Sequence, residues 1–268
     1  STINAWKTGQ WCITHTTPLM ATIITLAIML KLGLAPTHAW YPEVLQGSTM
    51  NTALIVSTWQ KIAPLTLLYL MNNHLPTNIL LILGLTSALI GGWTGLNQTQ
   101  TRKIMAFSSI AHTGWLIIAL SMSPQLALVT LIIYIITTTT MFMSLNTATM
   151  KTLNDLGTTW TQSPPLITMI VLTLMSLGGL PPLTGFMPKW LILNELCYTK
   201  LMPLSIILAL ASLPSLYFYI RMTYLTMLTT PPNTTTTEYK WRLPTTLNSA
   251  IPPTMMLTTL LLPLTPML

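Results

Sequence analysis

The chain has 268 residues, of which 51% are apolar and only 6% charged, and its mean hydropathy is +0.63. A water-soluble domain carries roughly 25% charged residues, so this composition excludes one and defines an integral membrane protein. The net charge of +7 does not point to nucleic acid, because the eleven Lys and Arg residues are scattered and only Arg102 and Lys103 adjoin, which makes no basic patch.

The chain opens on Ser1, and the segment around Lys7 lacks the apolar stretch of a signal peptide; Ser1 is therefore expected to be an internal start. A span needs about 20 apolar residues to cross ~30 Å of hydrocarbon. Turn signals divide the chain into eight such candidates, at residues 18–40, 48–70, 77–96, 102–122, 124–148, 165–197, 201–229 and 250–268. The sixth is too long for one straight helix and contains GGLPPLTGFMPKW, whose glycines and prolines predict two half-helices with an unwound middle. The expected fold is thus all-α, a polytopic membrane helix bundle.

With eight spans, the connectors near 41–47, 97–101, 149–164 and 230–249 share one side with Arg102, Lys103, Lys151, Lys240 and Arg242, while Lys7 and Lys200 lie opposite. By the positive-inside rule the first group faces the cytoplasm or its organelle equivalent. The sequons at Asn97 and Asn233 then fall on the wrong side for glycosylation. Cys12 and Cys197 cannot form a disulfide framework or hold an iron–sulfur cluster, and no CxxC, phosphate-binding loop or GxGxxG occurs. No cofactor site is therefore expected in this chain.

Three lysines remain inside spans: Lys31, Lys61 and Lys189. A charge within hydrocarbon costs at least ~2.5 kcal/mol and usually marks a hydrated ion route, although a long stem can also snorkel to an interface. Each lysine has a nearby proline, Pro36, Pro64 and Pro188. Within a helix these prolines would free the carbonyls of Leu32, Gln60 and Thr184, so each lysine is expected beside an exposed backbone oxygen, with Lys31 and Pro36 forming one polar site. His112 falls at the centre of the fourth span with Ser108 one turn before it, and His38 follows Lys31 by two turns. An imidazole titrates near neutrality and can hand a proton between water chains, or serve only as a hydrogen-bonded packing residue. The threonines at 137–140 are expected to bond back to their own helix.

The stretches MLKLGLAPTHAWYPEV, TWQKIAPL, GGWTGLNQTQTRKIMAFSSIAHTGW and SLGGLPPLTGFMPKW resemble the chain 2 family of NADH–ubiquinone oxidoreductase, antiporter-like membrane subunits of mitochondrial respiratory complex I. The resemblance runs the length of the chain and is most specific over 29–64, 91–115 and 176–190. Members begin with several further helices, one of which carries a buried glutamate that partners the lysine corresponding to Lys31.

The resemblance implies two inverted five-helix repeats, each with a broken helix. Residues 1–70 would close the first, 77–229 form the second, and 250–268 add an accessory helix. It also implies proton transfer by Lys31, Lys61, Lys189 and His112 in the mitochondrial inner membrane. NADH, FMN, iron–sulfur clusters and ubiquinone would be bound by other subunits. The implied partners are the other membrane subunits of the complex, including neighbouring antiporter-like ones, and the lipid bilayer, with no nucleic acid. A free-standing cation/proton antiporter subunit and a passive membrane spacer are the alternatives.

Overall fold

The computed structural model describes residues 18–148, 150–158, 164–228 and 250–261, with Ala5, Trp6 and Gly9 near the start. Lys7, Cys12 and the whole loop 230–249, with Asn233, Lys240 and Arg242, lie outside the described residues. The described chain is helical, with a single isolated β-bridge between Gln100 and Thr152. Its helices are α1 Pro18–Leu32, α2 Trp40–Gly47, α3 Met50–Ser57, α4 Trp59–Leu70, α5 Thr77–Gly95, α6 Thr101–Met122, α7 Pro124–Thr147, α8 Leu153–Thr158, α9 Pro164–Gly178, α10 Phe186–Tyr198, α11 Met202–Leu228 and α12 Ile251–Leu260.

Five stretches among the described residues are long and apolar enough to cross a membrane: Met50–Leu70, Thr77–Gly95, Thr101–Met122, Pro124–Thr147 and Met202–Met227. Of the other expected spans, 18–40 and 165–197 are present in pieces, and only the first part of 250–268, α12, lies within the described residues. The stretch 165–197 is α9 and α10 around an unwound turn, as its glycines and prolines predict. The stretch 18–40, expected as one helix, ends at Leu32 because Gly33 (φ +72°) provides a left-handed cap, with Leu34 N–H donating to Met29 O and Gly33 N–H to Leu30 O. The stretch 48–70 is also divided, between Ser57 and Trp59, where no glycine or proline announces a break.

Helix α6 is the axis of the bundle. Of its apolar window 89% is buried, against 33–50% for the other four long spans, and it meets α2, α3, α5, α7, α10 and α11. Small residues allow its closest contact. A Cβ on Gly114 would lie 2.6 Å from the Gly84 carbonyl, and one on Gly91 would lie 2.7 Å from the Ala111 amide, so α5 and α6 pack backbone against backbone.

The apolar interior is split in two along the helix axes. One cluster takes Ile104–Ile110 of α6, Met141–Leu145 of α7, Leu166–Leu177 of α9 and Phe218–Met222 of α11. The other takes Leu65 and Leu68 of α4, Trp115–Leu120 of α6, Ala127 of α7, Ile192 and Leu196 of α10 and Leu208 of α11. Between them lie Lys61, His112, Thr130, Tyr134, Thr137, Thr138 and Lys189. At ~1.5 Å rise per residue His112 stands ~17 Å into α6, midway through the span.

At one end of the bundle the connectors are tied together. Thr101 N–H donates to Lys151 O at 3.2 Å and Leu153 N–H to Thr99 O at 3.0 Å, while Arg102 Nη1 donates to the carbonyls of Gln46 and Ser48. The connectors at 46–48, 97–101 and 150–153 therefore share one face, the arrangement that the alternation of spans predicts.

Candidate polar axis within the membrane

Lys61 is 3% exposed, one turn past the break between α3 and α4. Its Nζ donates to the Ser109 carbonyl of α6 at 3.3 Å and to the Tyr134 hydroxyl of α7 at 3.1 Å. The same ammonium lies 4.9 Å from the Tyr134 ring centroid and 5.2 Å from that of Tyr41, so two π faces complete its surroundings.

The break itself belongs to this cluster. Lys61 N–H bonds to Thr58 O at 3.3 Å, one residue short of the regular helical acceptor, which leaves the Ser57 carbonyl without its usual donor. The Tyr134 hydroxyl supplies one at 3.0 Å. Ser57 and Thr58 both turn their hydroxyls back to Leu54 O, at 3.0 and 2.7 Å, which relieves the last turn of α3 of its need to continue.

From Tyr134 the polar groups continue to α6. The Tyr134 and His112 rings are 5.9 Å apart, and His112 Nε2 lies 3.5 Å from the Tyr219 hydroxyl of α11. His112, Tyr134, Thr130, Thr137, Ser176 and Lys189 are among the residues lining a cavity of about 30 Å³, room for a water or two. Thr137 and Thr138 bond back to carbonyls of their own helix, as expected.

Lys189 enters this cavity from the first turn of α10. Helix α9 ends in a Schellman turn, with Leu180 N–H on Met175 O and Gly179 N–H on Ser176 O, and Gly179 takes φ +80°. The Gly178 carbonyl, left over by that turn, accepts from Lys189 Nζ at 2.8 Å. A cation at a helix C-terminus also meets the negative end of its dipole.

The return into α10 is equally constrained. A Cβ on Gly185 would lie 1.7 Å from Ser176 O, so only glycine admits this approach. The Thr184 hydroxyl donates to the Thr258 carbonyl of α12, and Ser176 Oγ reaches the same oxygen at 3.3 Å.

Two expectations are corrected by this geometry. Pro188 lies in the first turn of α10 and frees no helical carbonyl, because Thr184 O accepts from Met187 N–H at 3.2 Å; the oxygen that serves Lys189 is that of Gly178. Lys31 and Pro36 do not form one buried polar site. Lys31 is exposed on the last turn of α1, Pro36 is exposed beyond the end of that helix, and the Leu30 carbonyl is taken by Trp40 Nε1 at 3.1 Å. Lys31 instead borders a groove of about 460 Å³ between α1 and α4, beside Pro64.

The structure therefore gathers Lys61, His112 and Lys189 and leaves Lys31 apart, while His38 lies outside the cavity. Sequence reasoning missed Tyr134 and Tyr219. Their signal was a phenol in the interior of an apolar span, where a hydroxyl must find a partner. Among the described residues no group of three or more His, Cys, Asp or Glu is placed to hold a metal ion.

Residues 4–230 match the family described as NADH:quinone oxidoreductase/Mrp antiporter, TM, and residues 216–268 that described as NADH dehydrogenase subunit 2 C-terminus. NADH-ubiquinone oxidoreductase chain 2 of Polypterus ornatipinnis is 50% identical over 266 residues, which are 99% of this chain and 77% of that one. The protein of the same name from Gallus gallus is 50% identical over 269 residues, covering 100% and 78%.

Among solved structures, a chain of respiratory complex I from Thermus thermophilus superposes with a TM-score of 0.80 at 27% identity, over 93% of this chain and 58% of that one. A chain of the Mrp complex from Dietzia sp. shares the fold, with a TM-score of 0.68 at 15% identity over 77% of this chain and 41% of that one. By these matches the chain, a multi-pass membrane protein, belongs to the NADH-ubiquinone oxidoreductase chain 2 family.

Proposed function

We propose that this chain is the proton-translocating antiporter-like subunit of an NADH:ubiquinone oxidoreductase in the mitochondrial inner membrane. NADH, FMN, iron–sulfur clusters and ubiquinone are held by other subunits, and this chain changes no substrate chemically. Its partners are the neighbouring membrane subunits of the complex and the surrounding lipid. The observation that carries this reading is the line Lys61, Tyr134, His112, Lys189, joined by hydrogen bonds, ring contacts and a water-sized cavity between two apolar cores.

A charge placed on one of these groups changes the protonation of the next, and the titrations of such a row belong to the row. Quinone reduction elsewhere in the complex supplies the driving charge. Protons then pass among Lys61, His112, Lys189 and intervening water, and Lys31 extends the row through groups packed over its exposed face. Glycine-capped helix ends beside two lysines, at Gly33 near Lys31 and at Gly179 near Lys189, support a two-repeat organisation with 1–70 closing the first repeat, 77–229 forming the second and 250–268 accessory. Breaks in corresponding places of two halves are the expected mark of a midplane ion site.

The test is Lys189→Met in the assembled complex, with proton uptake measured against NADH oxidised. Pumping should fall by about a hundredfold or more, the scale of a lost acid–base group, while assembly persists. Normal pumping stoichiometry in the assembled variant would falsify the relay role.

A further inference from the structure

The Tyr134 hydroxyl stands between two groups that want different things from it. It has one proton to give. That proton goes to Ser57 O at 3.0 Å, and the oxygen's lone pairs receive Lys61 Nζ at 3.1 Å. This arrangement suits an ammonium, which has three donors and no acceptor to satisfy; a neutral amine keeps two donors for the same two contacts but leaves its lone pair without a partner. A neutral amine offers a lone pair, and the strongest donor in reach is the same phenol. Lys61 is buried and has no acidic partner among the described residues, its other polar contact being the Ser109 carbonyl. Among the described residues no other hydroxyl bonds to its Nζ.

We propose that Tyr134 is a positioning residue that senses the protonation state of Lys61 and transmits it to the break between α3 and α4. While Lys61 is an ammonium, the hydroxyl points to Ser57 O and holds the break closed. When Lys61 gives up its proton, the hydroxyl turns to the amine lone pair, and Ser57 O loses the only side-chain donor it has among the described residues. An orphaned carbonyl inside the bundle needs a replacement, and the nearest is water entering along α3 and α4 or a return to the regular bond from Lys61 N–H. Either changes the hydration or the helical register beside Lys61. No covalent bond forms or breaks: one proton leaves Nζ for the relay, and one O–H rotates.

The other groups facing this point are few. Tyr41 of α2 presents its ring to Nζ at 5.2 Å, and His112 of α6 faces Tyr134 at 5.9 Å between ring centroids. Lys189 of α10 lines the same cavity as Tyr134. None of these hydrogen-bonds the Tyr134 hydroxyl, as Lys61 does at 3.1 Å, so Lys61 is the group whose charge Tyr134 reads. The hydroxyl is also spared any role in packing that a phenyl ring could not fill, since the contacts to Lys61 and His112 through the ring survive in phenylalanine.

This inference rests on the relay role of Lys61. Its test compares Tyr134→Phe, Lys61→Met and the double variant in the intact complex, reading proton uptake per NADH and its dependence on pH. Tyr134→Phe is expected to assemble, to lose about tenfold in pumping-coupled turnover, the scale of one hydrogen bond to a charged group, and to flatten the same limb of the pH profile as Lys61→Met. The double variant should be no worse than Lys61→Met alone.

Four outcomes overturn the proposal: wild-type pumping in Tyr134→Phe, a loss with an unchanged pH profile, losses that multiply in the double variant, or failure of Tyr134→Phe to assemble. The last would make the hydroxyl structural. If Lys61→Met itself pumps normally, the relay reading fails as well; if Lys61→Met is impaired and Tyr134→Phe is not, only the switch is lost.

Discussion

Lys189 lies across Gly179 so closely that a Cβ there would stand 2.9 Å from its Nζ and 3.0 Å from its Cδ. The glycine that ends α9 therefore also makes room for the lysine stem, and the carbonyl just before it receives the ammonium. Backbone turn and buried charge are one construction.

Gly179→Ala should accordingly do two kinds of harm. The left-handed φ costs a substituted residue about 1–2 kcal/mol, and the new methyl displaces the Lys189 amine from Gly178 O. We expect thermal stability of the assembled complex to fall modestly and proton pumping to fall further than the amount of complex does. Pumping that tracks the amount of complex would dissociate Gly179 from Lys189.

His112 is bordered by the cavity, so water can take over part of its role. His112→Gln should lower pumping about threefold, the cost of inserting a water into the row, and so less than Lys189→Met. The check is proton uptake per NADH in both variants at matched assembly. A His112→Gln complex that fails to assemble would identify His112 as a packing residue.

These two predictions mark what the sequence made legible. The break before α10 could be read because glycine and proline act locally: Gly179 supplies the positive φ and Pro188 tolerates a first turn. Lys61, His112 and Lys189 could be singled out because ionisable side chains are rare in these spans. The break after Ser57 could not be read, since its missing hydrogen bond is supplied by a hydroxyl 77 residues away. Tyr134 and Tyr219 were overlooked for a related reason: their phenols signalled a need for a partner, but that partner lies across the bundle and not along the chain. Lys31 was misplaced because the glycine after it ends the helix, and spacing to Pro36 then says nothing about a shared face.

Asp155 gives a prediction outside the membrane. It stands at the third position of α8 and accepts from the Thr152 and Lys151 amides at 2.8 and 3.0 Å, an N-terminal cap by a charged acceptor. Those bonds, the Thr152 amide first, hold its carboxyl below the ordinary value. A lowered carboxylate pKa means that its stabilisation is present above about pH 3.9, the unfolded value, and is lost as pH falls through the folded one. Asp155→Ala should cost about 1 kcal/mol at neutral pH, and the difference from wild type should vanish in acid. Thermal melts across pH 2 to 7, a range of about five units spanning that value, would reveal a persistent difference if the cap is not ionic.

Lys200 offers the opposite case, a residue whose replacement should help. It occupies the left-handed region at φ +62°, in the turn where Leu201 N–H reaches Leu196 O. Glycine is the usual occupant of such a cap. Lys200→Gly should stabilise the protein by about 1 kcal/mol, read as a raised melting temperature. An unchanged or lowered value would mean that the lysine side chain contributes more than its backbone costs.

Lys31 predicts a partner. A cation exposed beside an apolar groove in the plane of the membrane costs at least ~2.5 kcal/mol unless covered. In the intact complex, protein packed over the α1/α4 groove should bring a carboxylate within ~6 Å of the Lys31 amine, directly or through one water. A structure of that complex decides the matter, and an apolar neighbour there would remove Lys31 from the row.

The hydroxyls of Ser176 and Thr184, which clasp the break between α9 and α10, both reach one oxygen, the Thr258 carbonyl, 82 and 74 residues further along the chain. A ribosome delivers α9 and α10 to the membrane long before α12 emerges, so the break must wait unclasped through the synthesis of α11 and the loop that follows. The lysine turn is thus fastened only after α12 has been made. A chain stopped before Thr258 would carry every residue of the cavity and still lack the peg that holds its edge.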